Sequence, residues 1–121
     1  MYNQIKTIFK MREVYNISLD RFKVAIGPCI SKCCYEVSAE FYNNFINTMG
    51  NQVKIYFTEK DDGKYMCDLK GINKMLLLDL IDENNIEVSQ NCTCCEEELF
   101  FSHRRQGEYR GSHASFIGMR K

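Results

Sequence analysis

What most limits the folds open to this chain is the order in which helix-period and strand-period segments follow one another. Tyr2, Ile5, Ile8, Phe9, Arg12 and Tyr15 recur every three to four residues, which predicts an amphipathic helix packed on something larger. It starts almost at Met1, and no Ser, Thr or Asp N-cap precedes it. An opening this abrupt leaves open the loss of a preceding segment. Arg21-Phe22-Lys23-Val24-Ala25-Ile26 predicts a strand ended by Gly27-Pro28. Pro28 is the only proline; it stops sheet pairing and fixes the exit direction.

A loop from Cys29 to Val37 carries three thiols and Tyr35. Phe41, Tyr42, Phe45, Ile46 and Met49 then mark a second helix, with Ser38 as its N-cap and Gly50 as its stop. Val53, Ile55 and Phe57 alternate with Lys54 and Tyr56 and predict a half-buried strand. Asp61-Asp62-Gly63 predicts a hairpin turn, with Lys64–Leu69 returning as the partner strand. Leu69, Ile72, Leu76 and Leu80 give a third helix ending near Asn84-Asn85, with Asp68 and Asn73 placed to cap and orient it. Ile86-Glu87-Val88 predicts a short strand, Glu96–Arg105 a short helix, Gly107–Gly111 a loop and Ser112–Ile117 a closing strand. There is no repeat, linker or low-complexity tract, and the expected class is α+β, a mixed sheet packed with helices in one unit spanning 1–121.

Composition narrows the partners. Formal net charge is zero, so no global field recruits nucleic acid or an anionic membrane, and anion binding must come from a local cluster. No run approaches the ~20 apolar residues of a membrane span. The N-terminal residues lack the apolar core of a signal peptide, so Asn16-Ile17-Ser18 and Asn91-Cys92-Thr93 are read as chance matches to the glycosylation pattern. Seven cysteines without an export signal are expected as reduced thiols in a cytoplasmic protein.

The segment Asn91–Arg105 concentrates the chemistry. If Glu96–Arg105 is helical, Phe100 shares a face with Arg104, and Phe101 with Arg105. Planar cations beside aromatic rings suit an anionic, flat or phosphorylated ligand. The competing reading pairs the arginines with Glu96, Glu97 or Glu98 on the helix surface. For metal binding, Cys29-x3-Cys33-Cys34 can be set against Cys92-x-Cys94-Cys95, with His103 or His113 in reserve. Cys92-x-Cys94 is closer than the usual two-to-four-residue gap, so buried or loop thiols are the favoured reading. A Cys–His dyad using Cys29, Cys34 or Cys92 is disfavoured, because seven thiols and two histidines will pair by chance.

Five segments in register carry a resemblance: Ala25–Ile30, Cys33–Val37, Asp68–Asn73, Cys92–Cys95 and Leu99–Arg105, with Gly107 and Gly111 following. The chain resembles the laccase-domain, or polyphenol-oxidase-like, family of zinc-dependent purine nucleoside phosphorylases. The resemblance implies phosphorolysis of adenosine, inosine, guanosine or methylthioadenosine to the free base and a sugar 1-phosphate, and also adenosine deamination. The implied partners are therefore a purine nucleoside and phosphate, and the family's cofactor is zinc held by two histidines and a cysteine.

Those ligands lie in segments that this chain does not match, and it has no tryptophan for the family's His-Ala-Gly-Trp-Arg-Gly-like segment. The resemblance places them upstream of Met1. It thus implies the C-terminal half of the domain, without zinc of its own and inactive alone. An uncovered half-domain face is expected to drive self-association. Arg104, Arg105, Phe101 and Tyr35 are the expected substrate and phosphate contacts, while Cys92 and Cys94 shape a turn. Arg110-Gly111-Ser112 stands where the family has Thr-Gly-Arg, so a third anion-contacting arginine is not carried over. The alternative is a non-enzymatic binding module with structural thiols and an Arg/Phe docking surface.

Overall fold

A computed structural model describes residues 3–120. Two sequence expectations fall outside the described residues: Met1, upstream of which the metal ligands are expected, and Tyr2, the first member of the N-terminal stripe. Helix α1 (Asn3–Tyr15) leads through a 3-10 turn at Leu19–Arg21 into strand β1 (Val24–Ile26). Strand β2 (Glu36–Val37) and helix α2 (Ala39–Met49) follow, then a 3-10 turn at Asn51–Tyr56. Strands β3 (Phe57–Glu59) and β4 (Tyr65–Cys67) form the hairpin that precedes helix α3 (Leu69–Leu78). A 3-10 turn at Glu83–Asn85, strand β5 (Ile86–Val88), helix α4 (His103–Gln106) and a 3-10 turn at Gly107–Tyr109 complete the regular elements.

The fold is mixed, and its strands divide between two small sheets. β1 and β5 pair in parallel, Val24 opposite Ile86 and Ile26 opposite Val88. β2, β4 and β3 are antiparallel in that order, Thr58 opposite Met66. Helix α3 joins the two halves because it is apolar on two faces. Ile72 and Leu76 enter a core with Val37, Met49, Val53, Phe57 and Cys67. Leu77 enters a second core with Ile8, Phe22, Ile81 and Ile86.

Local chemistry sets the helix ends. The Ser38 hydroxyl accepts from the Phe41 amide (3.1 Å) and starts α2, as expected of a Ser N-cap. Gly50 ends it at φ +84°, a left-handed conformation that glycine adopts without steric cost. The Asp68 carboxylate accepts from the Gly71 amide (3.0 Å) and starts α3. A Cβ on Gly71 would lie 2.6 Å from the Tyr56 ring, so glycine lets the 3-10 turn lie against the helix.

Four expectations are corrected. Val53–Tyr56 is a 3-10 turn, because Val53 and Tyr56, three residues apart, both face the first core while Ile55 is 77% exposed. Helix α3 stops at Leu78, since the Asp82 carboxylate accepts from the Asn84 amide (2.9 Å) and starts a separate turn. Glu96–Arg105 is helical only in its last residues, within α4. Ser112–Ile117 forms no strand, having no backbone hydrogen-bonding partner among the described residues and leaving Phe116 and Ile117 exposed. Among the described residues, no helix is long and apolar enough to cross a membrane.

Because α3 serves both cores, Ile72→Ala and Leu77→Ala should each cost about 2–5 kcal/mol. Both variants should still unfold in one transition by far- and near-ultraviolet circular dichroism. Separate melting of the two cores would contradict the role given to α3.

Candidate functional site

Two loops, one leaving β1 and one leaving β5, run side by side and build the site. The parallel pairing continues beyond the strands: the Ser89 amide donates to Ile26 O (2.8 Å) and the Thr93 amide to Cys29 O (3.2 Å). Lys70, on the first turn of α3 and only 8% exposed, ties the loops together. Its Nζ donates to Ser31 Oγ (2.9 Å) on the first loop, and to Ser89 O (3.0 Å) and Asn91 O (2.5 Å) on the second. A Lys ammonium has three donors, and all three are used.

Between the loops and the C-terminal segment lies an open cavity of about 670 Å³. Tyr35, Phe101, His103, Arg104 and His113 line it together with Cys29. Tyr35 is fixed from behind. Its carbonyl accepts from the Cys67 amide (2.9 Å), and its ring meets Phe41 edge-on at 6.2 Å. Burial raises the pKa of its phenol, an effect that the Cys67 thiol reinforces and Arg104 opposes. Phe101 meets the His113 ring edge-on at 6.0 Å, and a Cβ on Gly111 would lie 2.6 Å from the Phe101 ring. Glycine at 111 therefore lets the tail close over Phe101.

The two adjacent arginines point to different work. Arg104 sits 5.3 Å over the Tyr35 ring and donates from Nη1 to Glu36 O (2.9 Å). It is exposed, and this is its one hydrogen bond among the described residues, so further donors are left open to solvent. Arg105 is bound inward. Its Nη1 donates to Thr93 O (3.0 Å) and Cys94 O (2.6 Å), and its Nη2 to Phe100 O (2.7 Å). Glu97 stands 3.9 Å from its Nε. Arg105 does not line the cavity; it braces the turn that carries Thr93 and Phe100. Tyr35, Phe101 and Arg104 thus come together as expected from sequence. His103 and His113 join them, although from sequence they stood only as reserve metal ligands.

The same loops hold the thiols, outside the cavity lining. Cys33, Cys34, Cys92 and Cys95 place their sulfurs within 4.8 Å of one another. Sγ separations are 3.4 Å for Cys33–Cys95, 3.2 Å for Cys34–Cys95, 3.8 Å for Cys33–Cys92 and 3.7 Å for Cys33–Cys34. This revises the reading of separate loop or core thiols. The overlooked signal was Cys92-x2-Cys95, whose gap has the spacing that Cys92-x-Cys94 lacks. Burial disfavours the Cys92 thiolate, but the backbone N–H groups of Ser31, Cys95 and Cys94 outweigh it and bring the thiol to about 6. Hydrogen bonding to Cys95, ahead of burial, raises Cys33 and Cys34. Glu96 closes the turn, accepting from the Cys92 amide (2.7 Å) and from Asn91 Nδ2 (2.8 Å).

Comparison with known proteins then fixes the relationship. Residues 4–120 match the family model described as multi-copper polyphenol oxidoreductase laccase. The chain belongs to this laccase-like family. It is 40% identical over 99 residues to a protein of Geobacillus stearothermophilus named purine nucleoside phosphorylase YlmD, covering 81% of this chain and 36% of that protein. It is 35% identical over 91 residues to a protein of an unknown prokaryotic organism named adenosine deaminase RL5, covering 74% of this chain and 35% of that protein. The crystal structure of YlmD from Geobacillus stearothermophilus superposes with a TM-score of 0.73 at 36% identity, over 83% of this chain and 37% of that one. The chain spans about a third of the length of these relatives.

The resemblance stated from sequence implied a two-histidine, one-cysteine metal site for the laccase-like family. The described residues do not fit it. His103, His113 and Cys29 line the cavity but do not bring their ligand atoms into one group; the cluster with metal-ligand spacing is the four-thiol one.

Arg105 and Arg104 separate cleanly by substitution. Arg105→Lys loses the planar fork that spans three carbonyls and should cost about 2–4 kcal/mol in urea unfolding. Arg104→Ala, at an exposed position, should cost less than about 1 kcal/mol. Equal costs would contradict the division of roles.

Proposed function

We propose that this chain forms the C-terminal wall of a purine nucleoside phosphorylase-type site, with adenosine deamination as a second reaction of the same site. The observation that carries the reading is Arg104 stacked on Tyr35 at a cavity also lined by Phe101, in a chain whose relatives bear those enzyme names. Arg104 is the phosphate contact, supplying a fixed positive charge and spare N–H donors at the cavity mouth. Phe101 and Tyr35 supply aromatic surface for a purine ring, and the protonated Tyr35 phenol supplies a donor. In phosphorolysis a phosphate oxygen bonds to C1′ of the sugar, the C1′–N bond breaks, and its electron pair leaves with the base. Arg105 contributes by holding the Thr93–Phe100 turn, which keeps the α4 end of the cavity in place.

The residues that hold the family's zinc belong, in this reading, to sequence upstream of Met1. Half-exposed Phe9 and the largely exposed Tyr15, Leu99 and Phe116 support it, since such surface calls for covering protein. Their exposure also supports self-association of the chain when nothing else covers them.

Phosphate and inosine should each raise the melting temperature of the purified chain. Arg104→Ala should weaken the phosphate response about 10- to 100-fold in concentration, the loss of one charge-assisted bond. The chain alone should release no base from inosine and phosphate. An unchanged melting temperature with both ligands would favour the binding-module reading, and base release by the chain alone would overturn the division of the site.

A further inference from the structure

We propose that Cys33, Cys34, Cys92 and Cys95 form a structural zinc site that staples together the two loops of the candidate site. The proposal rests on sulfur geometry. Four thiolates around zinc at Zn–S distances of about 2.3 Å form a tetrahedron with edges of about 3.8 Å. The four Sγ separations given above run from 3.2 to 3.8 Å, with all sulfurs within 4.8 Å. A small outward movement of the exposed Cys33 and Cys95 opens the centre to an ion.

The surroundings are built for such a staple. Cys92 and Cys95 have the x2 spacing of a zinc knuckle, and the Glu96 amide donates to Cys92 O (3.0 Å) to close that turn. The Ser31 amide donates to Cys92 Sγ (3.3 Å), as backbone N–H groups commonly do toward a ligating sulfur. Lys70 holds Ser31 from beneath, and Arg105 holds the carbonyls of Thr93 and Cys94. Both ligand pairs are therefore anchored independently of any metal. Cys94 and Cys29 stand outside the group.

A disulfide is the competing use of these thiols. Cys34–Cys95 (3.2 Å) and Cys33–Cys92 (3.8 Å) are the pairs that disulfides would take under oxidation, which is why the test is made under reducing conditions. One zinc takes all four. On binding, each thiol gives its proton to solvent and its sulfur donates a lone pair to Zn²⁺, with no change of oxidation state. The site is chemically distinct from the two-histidine, one-cysteine centre that the family resemblance implies, and it does not depend on the proposed reaction.

The test is metal analysis and Co²⁺ substitution of the whole chain purified under reducing conditions with zinc supplied. One zinc per chain is expected, and the cobalt form should show tetrahedral d–d bands with a charge-transfer band scaling to four thiolates. Cys33→Ser and Cys95→Ser should lose stoichiometric metal and these bands, while Cys94→Ser keeps both. Chelation should lower the melting temperature of the parent chain and leave that of Cys95→Ser unchanged. Should either Ser variant fail to fold, the thiolate count from the cobalt bands of the parent chain decides. A parent chain without metal, a Cys33–Cys95 or Cys34–Cys95 disulfide under those conditions, copper in place of zinc, or equal loss in Cys94→Ser would overturn the proposal.

Discussion

The Lys70 ammonium is the interaction on which the functional half of the molecule depends. It is buried at the start of α3, where an unpaired charge would cost several kcal/mol, and it spends its donors on one side chain and two carbonyls of neighbouring loops. Bonds from the Thr93 amide to Cys29 O and from the Ser31 amide to Cys92 Sγ tie the loops to each other. The ladder of β1 and β5 sets their direction, and Lys70 sets their distance from the core. Tyr35 and the Cys92–Cys95 turn then take their places on either side of this anchor.

Both functional features draw on the same two loops. Tyr35, Phe101, Arg104 and two imidazoles line the cavity, and the four thiols cluster outside that lining. Arg105 lies between them, bonding carbonyls on both sides of the Cys95–Leu99 segment. Anything that tightens the thiol cluster, such as a bound ion, therefore also restrains Tyr35 and Phe100. The aromatic packing beneath α2 continues the support, with Phe41 meeting Tyr35 and stacking on Phe45 at 5.0 Å. The laccase-like chain thus sets an exposed Arg104 beside Tyr35 on a packed aromatic base.

Much of this was legible in the sequence because local rules were not in competition. Ser38 and Gly50 bound α2 as their capping chemistry demands, and Asp61-Asp62-Gly63 turns a hairpin with Gly63 at φ +75°. Tyr35, Phe101 and Arg104 were singled out by resemblance and meet at one cavity. What was not legible depends on contacts distant in sequence. Lys70 looks like any helix-surface lysine until the fold brings Ser31 and Asn91 to its tip. Cys33 and Cys95 are 62 positions apart and meet only because β1 and β5 lie parallel. Arg105 read as a ligand contact because nothing local shows that three carbonyls converge on it. The helix expected over Glu96–Arg105 gave way because Glu96 turns back to cap Cys92.

The most direct test of this account is amide hydrogen exchange on Lys70→Met, which keeps the apolar stem and removes the donors. Loss of the anchor should speed exchange at Tyr35, Thr93 and Glu96 by about tenfold or more, the kinetic equivalent of one lost hydrogen bond. The Lys60 and Gly63 amides, bonded within the β3–β4 hairpin, should keep their protection. A uniform change across both groups, or none in the loops, would show that Lys70 does not hold the two loops in place.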